Sequence, residues 1–330
     1  MQIIAEIFYL QVYISVIGAL FTVATLFASR VLRLTVPLWF ALCGLAVYVL
    51  PFLAPDVQPV SPEGQLWADG FYLAAGVWGA GCLIFLLLGC VRLALAGRAL
   101  QRSPLCGNER LAEVCRRTAM ELGLRRMPVL REGRTKQPVC IAGIFHPPVL
   151  VNASIMEQLD DRVLTVVFCH ELTHIQRRHV LLERIFDAAC ALNWFNPFVW
   201  IARREFSLYC EMDCDVRAIK NLPGGITRMD YARAVIRLLE LAAVGGFRSG
   251  QEMGALSFLL TKRRILRITA GPSLLRERLA AAVLTALILL TIGFSWWFSR
   301  QHFYPYPAYG TGAEYGLECG LEYGLEEGRP

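Results

Sequence analysis

The chain alternates long charge-free stretches with a central region patterned for amphipathic helices and short strands. Four stretches, 7–28, 34–54, 71–91 and 279–298, contain no Asp, Glu, Lys or Arg. Each reaches the roughly 20 apolar residues that a helix needs to cross the hydrocarbon core of a bilayer. They predict four transmembrane helices. The first is not read as a signal peptide, because residues 1–6 hold no Lys or Arg and the apolar run is too long for one.

Between the third and fourth stretches the period changes. Residues 108–122 set Leu111, Val114, Cys115, Ala119 and Leu122 at helical spacing, and Gly123 follows as a stop. Three short runs rich in Val and Ile, 128–131, 138–142 and 148–151, are separated by Gly and Pro and predict strands. Asp160 and Asp161 open a long helical pattern, where acidic side chains favour a helix N-terminus. Asn196-Pro197 then supplies an N-cap and a first-turn proline for a helix running to about Lys220. The expected fold is a multi-pass α-helical membrane protein carrying an α+β domain. The predicted divisions are 1–98 with three spans, a domain at 99–278, a fourth span at 279–298, and a tail at 299–330. From Glu314 the tail repeats Glu-x-Gly-Leu, an acidic, glycine-bearing, low-complexity pattern with nothing to bury.

Composition agrees. Of the 330 residues, 55% are hydrophobic and 18% charged, against roughly 25% charged in a soluble domain. That excludes a disordered chain and speaks against an ordinary cytosolic enzyme. The net charge of +6 does not by itself suggest nucleic acid. Its placement is informative. Arg30 and Arg33 separate the first two stretches, Arg92, Arg98 and Arg102 follow the third, and Arg276 and Arg278 precede the fourth, while 55–70 carries no basic residue. Basic residues concentrate on the cytoplasmic side, so both termini are expected outside and 99–278 in the cytoplasm. Residues 92–278 hold 29 of the 33 basic residues and 18 acidic ones, a surplus that suits anionic lipid headgroups. The 11 cysteines are odd in number and irregularly spaced, with Cys43, Cys82 and Cys90 inside apolar runs. They read as reduced thiols, not a disulfide framework.

Chemistry enters at residues 170–174, HELTH. Side chains four apart share a helix face, so His170 and His174 can hold one metal ion, with Glu171 beside them as a candidate general base. A hydrolytic zinc site takes a third protein ligand, and the following helix offers Glu205, Cys210, Glu211, Asp213, Cys214 and Asp215. Glu211 as ligand, with Asp215 accepting a hydrogen bond from a ligand imidazole, is one sensible arrangement. A rival is a closed structural site of His170, His174, Cys210 and Cys214, which leaves Glu171 without a role. His179 reads as a surface or interface histidine, half a turn round the helix from His170.

Three motifs, HELTHIQRR at 170–178, NWFNPFVW at 193–200 and EMDCD at 211–215, carry a resemblance. With a Pro-rich strand region at 136–151, Tyr231 to Ala234, and KRRI at 262–265, they resemble the bacterial transmembrane metallopeptidases typified by the beta-lactam and methicillin-resistance sensors. The resemblance implies a gluzincin-type fold, zinc on His170, His174 and Glu211, and Glu171 as general base. It implies a protein substrate, such as a cytosolic DNA-binding repressor, as in those antirepressors. It also implies self-cleavage, for which Ser257-Phe258 matches in position. Those sensors carry a penicillin-binding domain after span four. The residues after Phe298 here include no Ser-x-x-Lys, so the expected signal is not a beta-lactam bound in the sensors' manner.

The function expected is thus an integral-membrane zinc metalloendopeptidase in transmembrane signalling, with membrane lipid and a protein substrate as partners and no direct nucleic-acid contact. Extended peptides add to sheet edges, and 139–143 is the expected edge. Alternatives are a housekeeping membrane protease for quality control or processing and a non-catalytic scaffold with a structural zinc. A transporter would need ionisable residues or broken helices within the spans, and the four spans hold no charge.

Overall fold

The computed structural model describes residues 2–30, 36–49, 65–133, 138–141, 143, 147–244 and 255–270, with scattered helical residues between 278 and 293. The tail at 299–330 and half of the fourth predicted span lie outside the described residues.

The charge-free runs become helices. α1 (Gln2–Arg30) and α3 (Gln65–Arg102) are long, and α2 (Leu38–Val49) is short. Two stretches, Leu10–Arg30 and Gly70–Arg102, are long and apolar enough to cross a membrane, while α2 has 12 residues. Residues 34–35 and 50–54 of the 34–54 run are outside the described residues. α3 leaves Leu73, Val77, Leu83, Ile84 and Leu87 all exposed. A helix that shows water so much hydrocarbon is built for a different solvent or for a partner.

The α+β region follows the sequence pattern closely. Asn108 caps α4 (Glu109–Glu121), its side chain accepting from the Leu111 amide, and the helix buries Leu111, Val114, Cys115 and Ala119. Strands β1 (Leu130–Glu132), β2 (Val139–Ile141) and β3 (Val149–Val151) form one sheet in the order β1-β3-β2. β3 is central. It pairs in parallel with β1, Leu130 opposite Val149, and antiparallel with β2, Val139 opposite Val151. β2 is therefore an edge strand. A short helix, α5 (Ala153–Met156), leads to α6 (Asp161–Gln176), which Asp160 caps through the Val163 amide. α6 sends Leu164, Phe168 and Leu172 into a core shared with α4, the sheet and Tyr231 of α9 (Arg228–Val244).

α7 (His179–Leu192) and α8 (Pro197–Lys220) form an antiparallel pair. Their apolar faces build a second core with α1 and α2, including Phe21, Phe40, Tyr48, Phe186, Val199 and Phe206. The far end of α8 returns Ala218 to the first core. One helix of 24 residues thus ties the two cores together. α10 (Ala255–Ala270) lies against α8 and α9.

One expectation is corrected here. α6 stops at Gln176, and Arg178 adopts a left-handed conformation, φ 55°, without a glycine to mark the turn. His179 therefore starts α7 instead of continuing α6, and it is 1% exposed, not a surface residue.

Candidate metal centre

α6 and α8 pack against each other. The contact brings His170, His174 and Glu211 into one group. His170 Nε2 is 3.3 Å from His174 Nε2 and 3.3 Å from Glu211 Oε2, and His174 Nε2 is 3.5 Å from Glu211 Oε1. A tetrahedral ion with bonds of about 2.0–2.1 Å sets its donors about 3.3–3.4 Å apart. The three donor atoms already have the edge lengths of such a tetrahedron, so these residues fit a zinc ion.

Behind each imidazole stands a hydrogen-bond partner. His170 Nδ1 is 2.8 Å from the Tyr231 hydroxyl and 3.3 Å from Asp215 Oδ1. Tyr231 donates its proton to Asp215 Oδ1 at 2.8 Å, so its oxygen accepts from His170 Nδ1–H and leaves Nε2 facing the metal position. Asp215 in turn takes a two-pronged contact from Arg264 of α10, at 2.8 and 2.9 Å, and the same guanidinium reaches Glu211 Oε2 at 2.7 Å. On the other side His174 Nδ1 lies 3.3 Å from His179 Nδ1, which is also 3.3 Å from Cys214 Sγ. His179 Nε2 faces Asp213 at 3.7 Å and has no hydrogen bond. The two candidate ligand imidazoles thus have unlike supports, a buried carboxylate for one and a neutral ring for the other.

The electrostatics favour a cation between the carboxylates. Burial works against ionising Glu211 and Asp215, but Arg264 and His170 overcome it and hold both well below the usual carboxylate range. Burial alone would lower His170, yet Asp215 and Glu211 raise it to about 10. His174 is lowered to about 3, chiefly by burial, and so is neutral and ready to ligate. Burial, aided by Glu211, pushes Glu171 up to about 7, the range in which a carboxylate serves as a proton acceptor near neutrality.

The rival ligand set does not assemble. Cys214 meets His174 and His179, but Cys210 joins no metal-capable group among the described residues. Burial first, then neighbouring carboxylates, push both thiols far up, away from the thiolate that zinc binds. Glu205 also stands apart. It is buried on α8 between Arg30 at the end of α1, 2.6 Å, and Arg263, 3.2 Å. Ser257 and Phe258 fall in the first turn of α10, with side chains outside the described residues. β2 borders the site: Cys140, on that edge strand, has its thiol raised by burial and by the charge of Glu171.

Sequence reasoning passed over Arg264 and the buried place of His179. The signal for Arg264 was an arginine within KRRI, half-buried on a helix whose one fully buried side chain among those described is Ile268.

Residues 58–268 match the family described as BlaR1 peptidase M56. The chain belongs to that family. The match covers the third helix, the sheet, both histidines of the HELTH motif, Glu211 and Arg264. Its members are metalloproteases. Among curated proteins, the chain is similar to the regulatory protein BlaR1 of Bacillus licheniformis, 23% identical over 204 residues, which is 60% of this chain and 33% of that protein. It is also similar to the methicillin resistance mecR1 proteins of Staphylococcus aureus and Staphylococcus epidermidis, 22% identical over 155 residues, 46% of this chain and 26% of theirs. The chain spans a third or less of the length of these relatives.

Proposed function

We propose that this chain is an integral-membrane zinc metalloendopeptidase that cuts a cytosolic or membrane protein as a step in transmembrane signalling. A DNA-binding repressor is the substrate class suggested by likeness to the regulatory and resistance proteins. The observation that carries the reading is the triangle of His170 Nε2, His174 Nε2 and Glu211 oxygen at 3.3–3.5 Å, with Glu171 one residue along the same helix. A zinc ion held there supplies Lewis acidity, polarising the scissile carbonyl and making a water more acidic.

The protein's own groups do the rest. Glu171 takes the proton of the attacking water and passes it to the leaving amine. Tyr231 and Asp215 keep His170 in the tautomer that offers Nε2. Arg264 neutralises Asp215 and steadies the Glu211 carboxylate. β2, an edge strand beside Glu171, gives an extended substrate a row of backbone partners. In the membrane layout proposed with this reading, four spans place both termini outside and the metal centre on the cytoplasmic side. Self-cleavage at Ser257-Phe258 belongs to the same proposal. That bond lies in a helical turn, and it must unwind before it can lie along β2.

The test is Glu171→Gln in the full chain. Zinc content should be unchanged, since a neighbour and not a ligand is altered, and turnover should fall by about 10²–10⁴-fold, the typical worth of a general base. Comparing the proteome of cells carrying each form should show one cleaved protein lost with the variant. Zinc lost in Glu171→Gln, or turnover retained, overturns the assignment.

A further inference from the structure

The tip of the α7–α8 pair carries no charge. From Ala188 to Ala202 there are 15 residues without a charge, bounded by Asp187 and Arg203, which pair at 2.7 Å. The run is too short to cross a bilayer and of the length that enters and returns. It contains a non-helical turn between Leu192 and Pro197.

That turn is held by the charge-free helices. Gln11 of α1 donates to Asn193 Oδ1 at 2.6 Å, and Asn196 donates to the Ser15 carbonyl and hydroxyl at 2.9 and 2.7 Å. Trp78 of α3 donates to the Leu192 carbonyl at 2.9 Å, and Trp194 donates back to the Trp78 carbonyl at 3.2 Å. Asn196 also caps α8 through the Phe198 amide, and Trp200 donates to the Trp194 carbonyl. α3 comes so close that a Cβ on Gly81 would lie 2.3 Å from the Trp194 ring. Irregular backbone inside a bilayer is tolerated where protein groups satisfy it, and here the Trp78 indole donates to the Leu192 carbonyl, the Trp200 indole to the Trp194 carbonyl, and the Asn196 amide to the Asn193 carbonyl at 2.8 Å.

The outer face of the tip is apolar. Ile185, Phe195, Trp200 and Ile201 are each between 38% and 42% exposed. Phe85, on the lipid-ready face of α3, stacks on Trp194 with ring centroids 6.1 Å apart and lies 5.8 Å from Trp200. The two surfaces are continuous. Charges return at one level, with Glu205 joining Arg30, the first charge after the α1 run, at 2.6 Å.

We infer that the α7–α8 tip is a re-entrant hairpin, residues 188–202, whose Phe195, Trp200 and Ile201 face lipid acyl chains beside α3. The inference rests on the membrane reading above. From Glu205 to Asn196 is nine residues of helix, about 14 Å, so the tip descends about half of the ~30 Å hydrocarbon core. Glu211 lies six residues the other way, about 9 Å beyond Glu205 along α8. The metal centre therefore sits just below the membrane face, and a substrate is cut close to the bilayer surface.

The full chain, reconstituted in phosphatidylcholine–phosphatidylglycerol vesicles containing a phospholipid with a diazirine in its acyl chain, is photolysed and its adducts are mapped by mass spectrometry. A water-soluble carbene source labels a parallel sample. Lipid adducts on 195–201 as well as on 83–87 of α3, with none on 109–121 of α4, are expected. Adducts on α3 with aqueous labelling of 195–201 overturn the hairpin and leave the membrane reading standing. Adducts on neither overturn the membrane reading. Protection of 195–201 from both reagents means a protein, such as a second copy, covers the tip and refutes the lipid contact.

Discussion

Asp215→Asn asks how far the metal depends on the residues behind its ligands. The substitution keeps the shape and an oxygen acceptor for Tyr231 but removes the charge that Arg264 grips at 2.8 and 2.9 Å. Two effects add. The proposed ligand His170 loses the carboxylate charge 3.3 Å from its Nδ1, while Tyr231 still accepts from that nitrogen. Arg264, already 2.7 Å from Glu211 Oε2, is left with that carboxylate alone and competes for a zinc ligand. Loss of such a supporting partner typically weakens metal binding by about 10–100-fold, or roughly 1.4–2.7 kcal/mol. Breaking a buried ion pair costs about 3–5 kcal/mol of stability; because Arg264 keeps Glu211, the lower end is expected. The assay is competition for zinc against a chromophoric chelator, with detergent-solubilised full chain, beside a thermal melt with zinc in excess. Zinc affinity within twofold of the parent would refute the supporting role. Complete loss of zinc, equal to that of His170→Ala, would make Asp215 a ligand and refute the assignment of Glu211.

Three further outcomes are expected. His179→Ala frees the Nδ1 of His174 and should lower zinc affinity toward the small end of the same 10–100-fold range, because a neutral ring supports a ligand less than a carboxylate; Cys210→Ser, measured beside it, should leave zinc content unchanged. Gly81→Val forces a side chain into the Trp194 ring, an overpacking of about 1–3 kcal/mol, and should lower the melting temperature of the full chain without altering its zinc stoichiometry. A reporter enzyme active only outside the cytoplasm, fused after Arg300, should be active; activity of a cytoplasmic reporter there would reverse the layout.

Local signals made much of this architecture legible. Asn108, Asp160 and Asn196 each announce a helix, and each caps one. The HELTH spacing and the four-residue offset of Glu211 from Asp215 follow from one helical turn, so α6 and α8 could be read without knowing how they meet. What the chain order hides is contact between distant segments. Arg264 reaches Asp215 across 49 residues and Tyr231 reaches His170 across 61. Both lie in stretches that carry the resemblance, but no spacing shows which side chain each one meets, since a half-buried arginine is understood only by its partner. His179 was misread because an ordinary arginine, Arg178, takes the left-handed turn that a glycine would have advertised.

α8 reaches from Asn196, hydrogen-bonded to Ser15 of α1, past Glu205 at the Arg30 level, to the proposed metal ligand Glu211. A continuous helix is stiff along its length. It acts as a lever whose fulcrum is gripped by the apolar helices and whose working arm carries one of three ligand groups, while the other two ride on α6. Asn196 and Glu211 are 15 residues, about 22 Å, apart. A pivot of about 3° at the gripped end swings Glu211 through roughly 1 Å, a displacement that can change a rate by about 10²-fold. A rearrangement of α1 and α3 too small to alter the fold is thus large enough to open or close the metal triangle.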